Sequence, residues 1–277
     1  MAFVLLGQHR SGTSFVNSLV REHPLVESIN EPFSQHLRLF RQTELQEWSA
    51  DDLTPERLHP AIKPGGECEQ YILELKRWMC APLPGVRGFK ETGLTEKADW
   101  LRAALGDFPT AVVVRDPRAV VASVLRRGLQ DSWWSYRSRL ERFAAGSALL
   151  DACRLTEPVD VVAAVWTLRA DRLLALAKRH GWLIVRLEDL IARPTDELER
   201  LMTMLGLEVD RRQLDFLAEA WSDTFDGTYS YRRRADAVLH TWKEVLDGDA
   251  QRAVESIARA PMRELGYEAG VRELAVQ

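Results

Sequence analysis

The chain has 277 residues, 46% of them hydrophobic and 28% charged, with a formal net charge of -4 and a pI near 5.9. That length and apolar content support a full buried core, while the mild acidity argues against a general nucleic-acid or anionic-membrane binder. Cys68, Cys80 and Cys153 are odd in number, far apart and without a CxxC pair, which argues against a disulfide framework or a zinc site and fits a reducing compartment. Met1–Leu6 is too short for a signal-peptide core, and no later apolar run approaches the roughly 18 residues of a membrane-crossing helix. A cytoplasmic protein is expected.

The first informative stretch is FVLLGQHRSGTS, from Phe3 to Ser14. A short apolar strand runs into a glycine turn that opens a helix, an arrangement suited to cradling an anion. The spacing is that of a Walker A loop, with Gly7, Gly12 and the hydroxyl of Ser14 in place. Thr13 stands where the phosphate-binding lysine belongs, and the nearest cation, Arg10, lies three positions back. The pattern predicts a phosphate loop that handles a different phosphoanhydride from ATP or GTP.

After the loop, SFVNSLVREHP predicts a helix stopped by Pro24, and LVESIN a second strand over 25–30 ending at Glu31-Pro32. By itself Glu31 reads as a solvated turn carboxylate. Residues 34–84 are helical and loop-like, with EQYILELKRWM an amphipathic helix, and suit a lid or an acceptor-side insertion; His36 and His59 within them read as surface residues. GVRGFKET, 85–92, predicts a third strand ending at Lys90, where a ligand role and a surface role are equally open.

The second informative stretch is PTAVVVRDPRAVVASVLRRG, 109–128. Ala111–Val114 is a continuous apolar run of the kind buried on both faces of a parallel sheet, and Pro117 can open the next helix. Arg115 at its mouth, with Ser123, Arg126 and Arg127 on it, suits a second phosphate, since guanidinium binds bidentately and a hydroxyl donates. Local pairing of Arg115 with Asp116 is the alternative. Helices follow over 131–150 and 159–181, then a strand and its exit over 182–190. Further helices span 195–207, capped by Thr195 or Asp196, and 211–222, and two more close the chain. Region 128–181 is a second candidate acceptor-side insertion. Trp133 and Trp134 suit a core or an interface better than an acceptor pocket. Arg232 and Arg233 lie in TFDGTYSYRRR, a basic loop that is either a solvated face or a cover for an anionic nucleotide. Without repeats or linkers, residues 1–277 read as a single α/β domain of the phosphate-loop type. It has a central parallel sheet of about five strands, flanking helices and helical insertions.

One glycine cradle and one Arg/Ser pair at separate strand ends suggest a nucleotide carrying a 5′-diphosphate-like group and another phosphate elsewhere. Here the sequence resembles the sulfotransferase family, which uses 3′-phosphoadenosine 5′-phosphosulfate (PAPS). RSGTS at 10–14 resembles its 5′-phosphosulfate loop and VVVRDPRAVVAS at 112–123 its 3′-phosphate motif, and the likeness runs through RLEDLIARP to the terminal W-K…LGY pattern. The RSGT form with a following NEP is closer to the carbohydrate and tyrosylprotein branch than to the cytosolic branch. The resemblance implies Arg10, Glu31 and Lys90 as the catalytic set, with Glu31 as general base and His9 or His36 next in line. It implies PAPS contacts from Arg10, Ser11, Gly12, Thr13, Ser14, Arg115, Ser123, Arg232 and Arg233, no metal, and a hydroxylated small-molecule, glycan or peptide acceptor. EP stands where the tyrosylprotein branch has a paired acid, so the acceptor class is not carried over. A phosphate-loop small-molecule kinase and a non-catalytic nucleotide-binding module are the alternatives.

Overall fold

A computed structural model describes residues 1–34, 65–66, 68–94, 98–134, 137, 140, 155–220 and 235–267. Its centre is a sheet of five strands, β1 (Ala2–Gly7), β2 (Val26–Asn30), β3 (Val86–Glu91), β4 (Thr110–Val114) and β5 (Leu183–Arg186). All neighbours pair in parallel in the order β2-β3-β1-β4-β5. β1 is central, with β2 and β3 on one side and β4 and β5 on the other, so the chain changes sides between β3 and β4. The carboxyl ends of these strands therefore flank a topological switch point, where open α/β sheets bind ligands.

Alternation along the strands feeds two apolar layers. Phe3 and Leu5 of β1 join Ala111, Val113 and Val185 on one face, covered by α1 (Thr13–Arg21), α7 (Leu187–Ala192), α8 (Pro194–Met204) and α9 (Arg211–Ala220). Val4 and Leu6 join Val112, Val114 and Phe89 on the other, covered by α2 (Glu69–Met79), α3 (Ala98–Leu105), α6 (Pro158–His180) and α13 (Arg259–Leu265). Strands apolar on both faces are what a parallel sheet between helical layers requires. A third cluster gathers α4 (Pro117–Arg126), α5 (Gln130–Trp134), α6 and α12 (Gly248–Ile257). The chain also forms α10 (Ala235–His240) and α11 (Trp242–Val245).

Several boundaries differ from the sequence reading for local reasons. Strand β5 stops at Arg186 because the next residues wind into α7. Helix α8 starts one residue before the expected cap: Arg193 is its N-cap without a side-chain bond, and Pro194 occupies the first turn. The two expected terminal helices are four shorter ones, α10 to α13, and α3 was not anticipated. Trp133 is buried against Val161 and Val165 in the third cluster, consistent with its core reading. Arg232, Arg233, His36, His59, Cys153, most of the proposed insertion 34–84 and part of 128–181 lie outside the described residues.

Candidate active site

The β1 loop is built as the spacing requires. A Cβ on Gly7 would meet Thr13 Cγ2 at 2.4 Å and the Val113 carbonyl at 2.6 Å, so the turn closes only on glycine. Gly12 has φ 86 and is the N-cap of α1, with Leu187 packed beneath it. Gln8 folds back to donate from Nε2 to the Trp166 carbonyl at 3.0 Å, and the Ser11 amide donates to the Gln8 carbonyl at 3.2 Å. Arg10 has φ 72, a left-handed conformation unusual for a residue with a Cβ. The loop is thus held open at the N-terminus of α1, where amides and the helix dipole favour an anion.

Arg10 also joins the loop to the second motif. Its Nε donates to Ser123 Oγ on α4 at 3.0 Å, and its carbonyl accepts from Arg115 Nη1 at 3.2 Å. Arg115 further donates from Nη2 to the Val238 carbonyl of α10 at 2.8 Å, and its own carbonyl accepts from the Trp166 indole at 3.1 Å. Burial lowers the Arg115 pKa, while Glu188 and Asp116 oppose that shift. A small cavity is lined by Arg115, Ser123, Arg126, Arg127, Thr241 and Trp242. Asp116 does not pair with Arg115 in the way the local-pairing alternative required; its carboxylate takes Arg118, from Nη2 at 2.6 Å, and caps α4 through the Arg118 amide. Arg118 in turn lies over the Trp242 ring at 4.3 Å and reaches the Tyr267 carbonyl, tying the terminal helices to this motif.

The third cluster lies at the ends of β2 and β3. Lys90 Nζ donates to Glu31 Oε1 at 2.6 Å, and the Thr92 hydroxyl donates to the same oxygen at 2.7 Å. Burial pushes the Glu31 pKa up, but the Lys90 ammonium and the two hydrogen bonds outweigh it and hold the carboxyl below its ordinary range. The carboxylate is therefore paired, correcting the reading of a solvated turn. Thr92 Oγ1 is also 3.2 Å from His9 Nδ1. With its one proton committed to Glu31, the hydroxyl accepts from His9, an assignment made from the network. Burial first, then the nearby Arg169 charge, with Lys90 and Arg10 adding, pulls His9 down to about 4 against the opposing Glu31 charge. His9 is neutral at pH 7.

The structure thus brings Arg10, Arg115 and Ser123 together, and sets Glu31 against Lys90 at the same rim. Glu31 has φ 50, a second left-handed non-glycine position. Sequence reasoning missed Thr92, whose signal was its two-residue spacing from Lys90 on one strand face. It also missed Tyr71, which donates to the Pro32 carbonyl at 2.7 Å and braces the Glu31 turn from α2.

The model of the sulfotransferase family matches residues 2–211. Human carbohydrate sulfotransferase 2 is 28% identical over 219 residues, covering 70% of this chain and 41% of that protein; the mouse counterpart is 27% identical over the same shares. The chain therefore spans about two fifths of the length of these curated relatives. Among solved structures, the sulfotransferase domain from the curacin biosynthetic pathway shares the fold, with a TM-score of 0.58 at 16% identity over 96% of this chain and 97% of that one. Mouse sulfotransferase SULT7A1 complexed with PAP does so with a TM-score of 0.51 at 13% identity, over 95% and 84%. With a family match over most of its length and the matching fold, the chain belongs to the sulfotransferase family.

Proposed function

We propose that the protein transfers a sulfuryl group from PAPS to the hydroxyl of a small-molecule, glycan or peptide acceptor. The observation that carries this reading is the Arg10–Ser123 contact, which sets two anion-binding elements side by side at neighbouring strand ends. The residues present fit such a donor: glycine at 7 and 12 leaves a cradle that a Cβ would fill, and Ser11 Oγ and Arg115 Nε are buried without a hydrogen-bond partner among the described residues. Bound PAPS would supply the sulfuryl group and a phosphoadenosine leaving group.

The protein's own groups divide the remaining work. The loop amides of residues 11–14 hold the 5′-phosphate, and Arg115 and Ser123 hold the 3′-phosphate. Glu31, kept ionised by Lys90, takes the proton from the acceptor hydroxyl. Arg10 and Lys90 stabilise the charge growing on the sulfuryl and bridging oxygens. Lys90 cannot fully serve Glu31 and a developing oxyanion at once. As its ammonium turns to the leaving oxygen, Glu31 loses the partner that depresses its pKa and becomes a stronger base.

Resemblance to carbohydrate sulfotransferase 2 makes glycans the first acceptor class to screen. Thr13 in the lysine position and the family match argue against ATP-dependent phosphoryl transfer. A cytoplasmic site of action is part of the proposal, supported by a cysteine pattern of three widely spaced residues with no CxxC pair. The test is a thermal-shift comparison of 3′-phosphoadenosine 5′-phosphate (PAP), ADP and ATP, followed by mass-spectrometric screening of hydroxylated acceptors with PAPS. A larger shift with PAP and an acceptor gaining one sulfuryl group are expected; equal shifts for all three nucleotides overturn the donor assignment.

A further inference from the structure

Alternation along β3 sends Lys90 and Thr92 to the face that carries the β1 loop and Glu91 to the opposite face. Glu91 is 1% exposed. Its Oε1 accepts from the Thr92 and Gly93 amides, both at 2.9 Å, and its Oε2 accepts from the Phe33 amide at 3.4 Å. One carboxylate thus joins the exits of β2 and β3 from behind, and on the site face the same exits meet again through Thr92 and Glu31.

The turn it grips is strained. Glu31 keeps its left-handed φ, and such a conformation persists only when its surroundings enforce it. Phe33 is fully buried, edge-on to Tyr71, Phe89 and Trp100 at 6.1, 5.9 and 6.0 Å between centroids. The Glu31 amide donates to the Lys90 carbonyl at 2.8 Å. Glu91 connects this anchored turn to the backbone that carries Thr92.

The geometry points to Glu91 as a positioning residue for the transfer reaction: by holding the Phe33, Thr92 and Gly93 amides from behind the sheet, it sets how Glu31 meets Lys90 and Thr92. The inference rests on the reading of Glu31 as the base. Glu91 touches neither substrate nor reacting atoms.

A pH signature follows. Burial raises Glu91 to about 7, against the Gly93 and Thr92 amides; Glu31 adds to the rise and Lys90 opposes it. From α2, Tyr71 faces it, its own pKa raised by burial and by Glu91. As pH falls through about 7 the carboxyl gains a proton, one oxygen becomes a donor, and an amide of the clamp loses its acceptor. The turnover rate of the wild-type enzyme is therefore expected to rise with pH across about 7.

The test uses Glu91→Gln, which keeps size and one acceptor oxygen but turns an NH2 group toward an amide donor. The expected result is a kcat loss of about tenfold or more, with PAP affinity and a cooperative melt at pH 7 retained and the pH limb near 7 gone. Tyr71→Phe, which loosens the same turn from α2, should lower kcat and keep the limb. Wild-type kcat with the limb retained in Glu91→Gln overturns the inference.

A second readout does not need activity. Crystals of the wild type and of Glu91→Gln grown at pH 8, where Glu91 is ionised, should show the 2.6 Å Lys90 Nζ–Glu31 Oε1 contact of the wild type lengthened past hydrogen-bond range in the variant. An unchanged contact in Glu91→Gln overturns the positioning role. If the wild type transfers to no acceptor while this contact lengthens as expected, the catalytic reading fails and the positioning of Glu31 stands.

Discussion

Arg10 Nε donates to Ser123 Oγ over 3.0 Å across 113 positions of sequence, so the loop after β1 and the helix after β4 share one hydrogen bond. Ser123→Ala removes both this bond and a proposed phosphate donor. Losing one charge-assisted hydrogen bond costs about 1.5–3 kcal/mol. PAP binding should weaken about 10- to 100-fold by isothermal calorimetry, while AMP, which lacks the 3′-phosphate, should lose much less. Equal losses for the two ligands would show that Ser123 acts through the loop alone.

Glu31→Gln should leave PAP affinity unchanged and lower the rate by about 10² to 10⁴, the usual contribution of a general base. Steady-state and single-turnover assays measure it, and an unimpaired variant would pass the role to His9. Lys90→Met should also raise the Glu31 pKa, since burial then acts on a carboxyl that has lost its 2.6 Å ammonium partner. The alkaline displacement should appear in the NMR titration of that side chain.

Gly12→Ala forces a Cβ into a backbone with φ 86 and within 2.9 Å of two Leu187 methyl carbons. The left-handed conformation alone costs about 1–2 kcal/mol. Urea denaturation should show at least that loss. Gly12→Ala combined with Leu187→Ala should not recover it, because the second change relieves the contact and leaves the dihedral.

Glu91 and His9 should act on acid stability in opposite directions. Glu91 is raised from 4.5 to about 7, so its stabilising share is complete below about pH 4.5 and is lost as pH rises to about 7. His9 is lowered from 6.5 to about 4, so its share is present above about pH 6.5 and is lost as pH falls to about 4. Each is worth about 3 kcal/mol, and over this window they offset. Measured as differences from wild type, Glu91→Gln should lose stability at pH 4.5 relative to pH 7, and His9→Asn should gain it.

β1 and β4 were legible because apolar runs ended abruptly at residues of another kind, as at Val114 and Arg115. The loop was legible through glycine spacing, since close approach tolerates nothing larger at Gly7 and Gly12. Glu31 was misread from its own neighbourhood: an acid before a proline looks solvated until a lysine 59 positions away closes on it. Only the family resemblance pointed to that pair. Glu91 gave no signal, because its partners are backbone amides and its face is set by tertiary pairing. The left-handed Arg10 and Glu31 were equally hidden, for neither is a residue that favours such a conformation.

Trp166 spans both anion-binding elements, its carbonyl taking the Gln8 amide and its indole N–H reaching the Arg115 carbonyl. One residue of α6 therefore ties the two elements together, through its backbone carbonyl on one side and its indole on the other. Trp166→Phe would cut the tie to Arg115 and leave the tie to Gln8, so the two elements can be uncoupled one at a time.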